Sequence, residues 1–234
     1  VDWLGAELAL DNFDLGRWDE ALRDVRLLAG GRSERGAVHY LDPFLRLVEA
    51  AIVLAREGHL LVGLPEAVLE NARSIGDLQV LAPALGQVAT LLGAAGRVDE
   101  AAACLTEYQE ALRADVSWFG GGPAIVAVVV AWRELMPGPV PDELLRGPTV
   151  PWIEAAGMVA DGEPAAAADL LSAIGARTIE ADVRLHAARM AVPADPAEAS
   201  RQLDLAAGFW RSVGATARLA QVDEVRGLLR SAAS

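Results

Sequence analysis

The sequence predicts an all-α chain of stacked helical hairpins, and three observations predict it. Five alanine pairs, Ala9/Ala21, Ala55/Ala67, Ala89/Ala101, Ala155/Ala167 and Ala187/Ala199, are each separated by the same twelve residues. Two turns are alike, Gly16-Arg17-Trp18-Asp19-Glu20-Ala21 and Gly96-Arg97-Val98-Asp99-Glu100-Ala101. In each, a glycine ends one helix and an acidic pair opens the next. Finally, about a fifth of the 234 residues are alanine and 53% are hydrophobic, while β-branched and aromatic runs are almost confined to a segment near Val126.

The alanines mark where two helices of a hairpin cross, because only a small side chain lets backbones approach to about 8 Å. Counting from the second alanine of each pair, the units are spaced by 46, 34, 66 and 32 residues. The 66 corresponds to two units, with a valine-rich helix standing in for a degenerate one. The expected architecture is an α-solenoid, a right-handed superhelix of about 12–13 helices forming a single domain over residues 1–234. An irregular centre at 115–148 interrupts it. The chain begins at Val1 with no basic stretch behind it, and reads as part of a longer protein.

Breakers and caps place the elements. The first hairpin is expected at 3–15 and 18–29, followed by the polar loop Gly30–Gly36. Asp42 can cap a helix starting at Pro43, where the missing N–H costs nothing, and running to about Glu57 before Gly58. Its partner runs from Pro65 to about Ser74. The third hairpin, 78–95 and 98–114, faces a Leu85, Val88, Ala89, Leu92 stripe with one of Ala101, Leu105 and Leu112. In the centre, Trp118-Phe119-Gly120-Gly121-Gly122-Pro123 forms a glycine hinge leading into Ala124–Trp132, apolar all round. Three successive valines favour a strand, but Pro123 at a helix start and the surrounding helical pairs favour a buried helix. Pro137-Gly138-Pro139-Val140-Pro141 follows as an extended connector, with at most one helical turn at Asp142–Arg146. Helices resume at about 150–161, 165–174, 177–191, 196–213 and 216–231.

Composition removes several functions. All 20 basic residues are arginine, so neither a Schiff base nor a phosphate-loop lysine is available. The net charge is −13. Residues 1–176 hold 12 Arg against 26 acids, and 177–234 hold 8 Arg against 7 acids, so no face offers the basic surface a nucleic acid requires. The single cysteine, Cys104, forbids an internal disulfide and is expected to be a buried, inert thiol. The longest apolar run is nine residues, about half a bilayer span, so no membrane association is expected.

A unit of about 34 residues with a small residue inside helix A and Gly-x-x-x-Glu-Ala opening helix B resembles the tetratricopeptide repeat (TPR), most closely over residues 85–112. The aromatic expected in several A helices and the proline after most B helices are missing. The stretch Ala206–Thr216, Ala-Ala-Gly-Phe-Trp-Arg-Ser-Val-Gly-Ala-Thr, also looks like the closing helix pair of the TPR-like C-terminal regions of actinobacterial adenylate/guanylate cyclases and LuxR/MalT-type ATPase regulators. That resemblance implies a non-enzymatic, cytoplasmic protein–protein interaction scaffold within a bacterial signalling or transcription regulator. Its partner would be a protein or peptide segment, other domains of the same chain, or a second copy in a homodimer. The alternative is a ligand-sensing regulatory domain, with a small molecule or peptide bound where the irregular centre forms a pocket.

Candidate interaction residues are Trp118 and Phe119, as an aromatic anchor beside three glycines or a plug under the loop. Arg177/Arg184 and Arg211/Arg218, each pair spaced by seven, are the others. Seven residues put each pair on one helix face, ready for an anionic effector or, more simply, for acids of a neighbouring helix. No catalytic, cofactor-binding or metal residues are assigned. His39, His59 and His186 lie in different units, and Glu107/Glu110 and Asp142/Glu143 read as solvated polar faces rather than a carboxylate catalytic pair.

Overall fold

The computed structural model describes residues 2–33, 40–114 and 122–232. Among them are twelve α-helices and one 3₁₀ turn, with no strand. The helices are α1 (Asp2–Asp14), α2 (Trp18–Ser33), α3 (Asp42–Glu57), α4 (Leu64–Ile75), α5 (Leu78–Ala94), α6 (Val98–Ala114), α7 (Ala124–Leu135), α8 (Pro151–Ala160), α9 (Pro164–Ala173), α10 (Arg177–Ala191), α11 (Pro196–Ser212) and α12 (Thr216–Ala232). The 3₁₀ turn, Asp142–Leu145, is the single turn expected after the proline connector. Asp42 lies inside α3 rather than capping it, since Leu41 occupies the cap position and Pro43 still falls in the first turn. The valine-rich segment is helical, and α7 buries Ile125, Val126, Val128, Val129 and Trp132 between its neighbours. Burial on several sides outweighs the β preference of valine, a bias that is weak against tertiary context.

Nine of the ten register alanines are buried, and only Ala67 is partly exposed. Pairs α1/α2, α5/α6, α8/α9 and α10/α11 pack closely along their lengths, whereas α3/α4 does so less. The cause is local. Residues 58–63 separate α3 from α4, while α1/α2, α5/α6, α8/α9, α9/α10 and α11/α12 are joined by one tight turn. At Gly16, Gly96, Gly162, Gly175 and Gly214 the glycine takes a positive φ of 70–87°. The following N–H returns to the carbonyl five residues back, as from Arg17 to Asn12 (2.7 Å) and Arg97 to Leu92 (2.9 Å). The glycine N–H bonds the carbonyl three residues back, so both orphan groups of a Schellman helix end are satisfied.

The two ends of the array meet, which an open stack touching only its neighbours would not produce. Helix α12 packs on α3, and α10 touches α1. Trp18 is the hub. Its ring stacks on Phe13 at 5.9 Å and meets Phe209 edge-on at 5.8 Å and Trp210 at 6.0 Å, and Arg56 lies 5.9 Å over it. Arg56 Nε also donates to the Val213 carbonyl at 3.0 Å, and Thr216 Oγ1 donates to the Arg56 carbonyl. The equivalent of Trp18 in the second copy of the turn, Val98, is 47% exposed against 2% for Trp18. The turn is local, but its cover is not.

Candidate functional site

Helices α5, α7, α10 and α12 surround a hollow of about 230 Å³. Small residues, Gly93 and Ala94 of α5 with Ala127 and Ala131 of α7, leave the room. At Gly93 the backbone comes close to Leu135, since an added Cβ would meet Leu135 Cδ1 at 2.8 Å and that side chain would have to shift. Four charged side chains project into this space as two couples. Arg218 lies 3.0 Å from Asp182, and Arg189 lies 3.2 Å from Glu134. Arg218 is further held by Gln221 Oε1 at 2.9 Å and by the Trp210 ring at 5.7 Å. Burial pushes the Asp182 carboxyl above the usual carboxylate range, against the opposing pull of Arg218 and with a contribution from Glu134. Burial also acts on Glu134, but the hydrogen bond with His186 and the Arg189 charge hold its carboxyl below the usual range. His186 Nδ1 is 2.9 Å from Glu134 Oε1, and its buried Nε2 has no partner among the described residues.

A second, open hollow of about 540 Å³ lies between α2 and α3, lined by Asp19, Leu22, Arg23, Arg26, Leu27 and Arg56. Leu27 is 69% exposed. Each guanidinium has an acid nearby, at 2.7 Å for Arg56 and Asp19, 3.5 Å for Arg23 and Asp24, and 3.6 Å for Arg26 and Glu49. Charge and exposed aliphatic surface therefore coexist on one shallow face.

Of the residues singled out in the sequence, Trp118 and Phe119 lie outside the described residues, as does His39. Arg177 and Arg184 converge on one group, Glu180, at 3.2 and 2.7 Å. Arg177 is half exposed, while Arg184 is 5% exposed and bonds Gln202 (3.0 Å) and Asp169 (3.1 Å) as well. The principal acid comes from the same helix, not only from a neighbour. Arg211 is exposed in the last turn of α11, whereas Arg218 enters the central hollow. Glu107 is gripped by Arg73 at 2.7 Å and Glu143 by Arg113 at 3.0 Å. Cys104 is buried, and burial pushes its thiol up. Among the described residues no group of three or more His, Cys, Asp or Glu side chains is placed to hold a metal, and no helix is long and apolar enough to cross a membrane.

Glu134, Asp182 and Arg189 were not singled out by sequence reasoning, although a signal was present. Asp182, His186 and Arg189 stand at i, i+4 and i+7 of α10, one face of a helix. Glu134 is the one acid of a helix whose only other charged residue is Arg133. Compared with protein-family models, curated proteins and solved structures, the chain finds no match.

Proposed function

We propose that this chain is a non-enzymatic TPR-like interaction domain of a bacterial signalling or transcription regulator, a right-handed superhelix of hairpins working in the cytoplasm and binding a protein or peptide segment. The observation that carries the binding role is the α2–α3 hollow, where exposed Leu27 and half-screened Arg23, Arg26 and Arg56 stand together on a chain of net charge −13. Aliphatic surface flanked by guanidiniums suits a segment that alternates acids with a leucine-like anchor. A fluorescein-labelled peptide alternating Glu and Leu, titrated by anisotropy, tests it. Binding should weaken as salt rises, because the charged component is screened, and should be lost in Leu27→Glu. No binding, or binding indifferent to Leu27→Glu and to Arg26→Glu, overturns the assignment.

The central hollow favours a second reading, a ligand-sensing regulatory domain. Charged groups converge there on apolar walls contributed by the valine-rich helix, the combination typical of small-molecule sites. A ligand bound there would bridge α5, α7, α10 and α12, and so report on the junction between the ends of the array.

A further inference from the structure

The central hollow has a property that narrows its occupant. Its two guanidiniums, Arg189 and Arg218, are balanced by two carboxylates, Glu134 and Asp182. A lone anion or cation would add an uncompensated charge to a half-enclosed space, which is costly. A molecule carrying one charge of each sign keeps the space neutral and finds a partner for both ends. Size narrows it further, since about 230 Å³ falls below the about 300 Å³ at which pockets for drug-sized ligands begin.

The walls decide the rest of the molecule. Among the described residues no aromatic ring lines the hollow, so these walls offer no flat platform on which a sugar ring would stack, and Ala127, Val130 and Leu185 make its apolar side aliphatic. The charged groups also retain capacity. A guanidinium has about five donors and a carboxylate about four acceptor sites, while Glu134 meets Arg189 and His186 through Oε1 and Asp182 remains 28% exposed at its side chain. Arg218 is held in place by Trp210 and Gln221 before any ligand arrives, which reduces the ordering cost of binding.

We propose that this hollow binds a zwitterionic α-amino acid with a small aliphatic side chain. Its carboxylate meets Arg189 and Arg218, its ammonium meets Asp182 and Glu134, and its side chain lies against Val130 and Leu185. The assignment rests on the ligand-sensing reading above and gives that ligand a chemical class.

The test is calorimetric titration and thermal denaturation of the full chain with L-valine, L-leucine, N-acetyl-L-leucine and L-leucinamide, alongside glucose, inorganic phosphate and spermidine. Valine or leucine should bind and raise the melting temperature. Blocking either the ammonium or the carboxylate should weaken binding by about tenfold or more, the equivalent of about 1.4 kcal/mol. Asp182→Asn and Arg218→Gln should remove the melting shift. Circular dichroism checks that both variants fold, and Ala127→Leu, which fills the hollow without touching a charge, provides an independent variant that should also lose binding. Equal binding of the blocked and free amino acids, or leucine binding unaffected by Ala127→Leu, overturns the proposal. Binding of glucose, phosphate or spermidine without binding of either amino acid overturns the ligand class but leaves a ligand-sensing hollow, whereas no binding by any probe overturns both.

Discussion

Trp18 Nε1 donates a hydrogen bond to Thr178 Oγ1 at 2.9 Å, across 160 positions of sequence. Thr178 Oγ1 in turn donates to the Phe13 carbonyl, so one threonine of α10 secures both sides of the first interhelical turn. Each aromatic pair around Trp18 adds roughly 0.5–1.5 kcal/mol beyond its buried area, and four rings, Phe13, Trp18, Phe209 and Trp210, participate. The meeting of the two ends is thus a stabilising contact of the fold.

Trp18→Ala is expected to cost about 3–5 kcal/mol, the usual range for deleting a buried large aromatic. Thr178→Val should cost about 1–3 kcal/mol, because the buried indole N–H loses its acceptor. Urea denaturation followed by circular dichroism measures both. A loss for Trp18→Ala within about 0.5 kcal/mol, as for an ordinary surface change, would show that the ends do not meet.

Gly16 and Gly96 form a matched pair for separating backbone from packing. Both have φ +78°, but an added Cβ would meet Phe209 Cε2 at 2.7 Å at Gly16 and nothing within 4 Å at Gly96. Gly96→Ala should therefore cost only the left-handed strain, about 1–2 kcal/mol. Gly16→Ala should cost clearly more, since Phe209 is buried and must shift. Equal losses in parallel denaturation curves would mean that Phe209 does not cover the first turn.

Asp14 makes stability depend on pH in an unusual direction for a carboxylate. Burial, reinforced by the Asp11 charge, pushes its carboxyl from the ordinary 3.8 up to about 7. Between about pH 4 and 7 the folded chain therefore binds more protons at this group than the unfolded chain does, and this contribution to stability falls as pH rises through that window. Asp14→Asn should be more stable than the parent at about pH 8 and show a shallower loss between about pH 5 and 8. Identical pH profiles for variant and parent would refute this.

Ala101 and Ala67 occupy equivalent register positions in different surroundings, fully buried in the first case and partly exposed in the second. Ala101→Leu should overpack the α5/α6 crossing at a cost of about 1–3 kcal/mol. Ala67→Leu should stay within about 0.5 kcal/mol. Melting temperatures decide the matter, and a tolerated leucine at position 101 would mean that the crossing lies elsewhere.

The helices were legible because their signals are local. Gly16 and Gly96 end α1 and α5 through hydrogen bonds spanning six residues, and the twelve-residue alanine spacing registers two helices across so short a turn. Asp42 shows the limit of that resolution, since the boundary shifted by one residue when Leu41 took the cap. The charged residues were less legible. Arg184 and Arg218 each belong to a pair spaced by seven, with Arg177 and with Arg211, yet one is enclosed by Glu180, Asp169 and Gln202 while the other enters the hollow with Asp182. Their spacing describes a face of one helix and says nothing about what that face meets.

By itself the sequence determined that the chain is helical, where most helices start and stop, and the burial of nine of the ten paired alanines, because hydrogen bonds and side-chain periodicity act within a few turns. Only the tertiary structure decided that Trp18 is covered by Phe209 and Trp210, and that Glu134, Asp182, Arg189 and Arg218 share one hollow. Those meetings join residues far apart in sequence, such as Trp18 and Phe209 or Glu134 and Arg189, and no short stretch of residues encodes them.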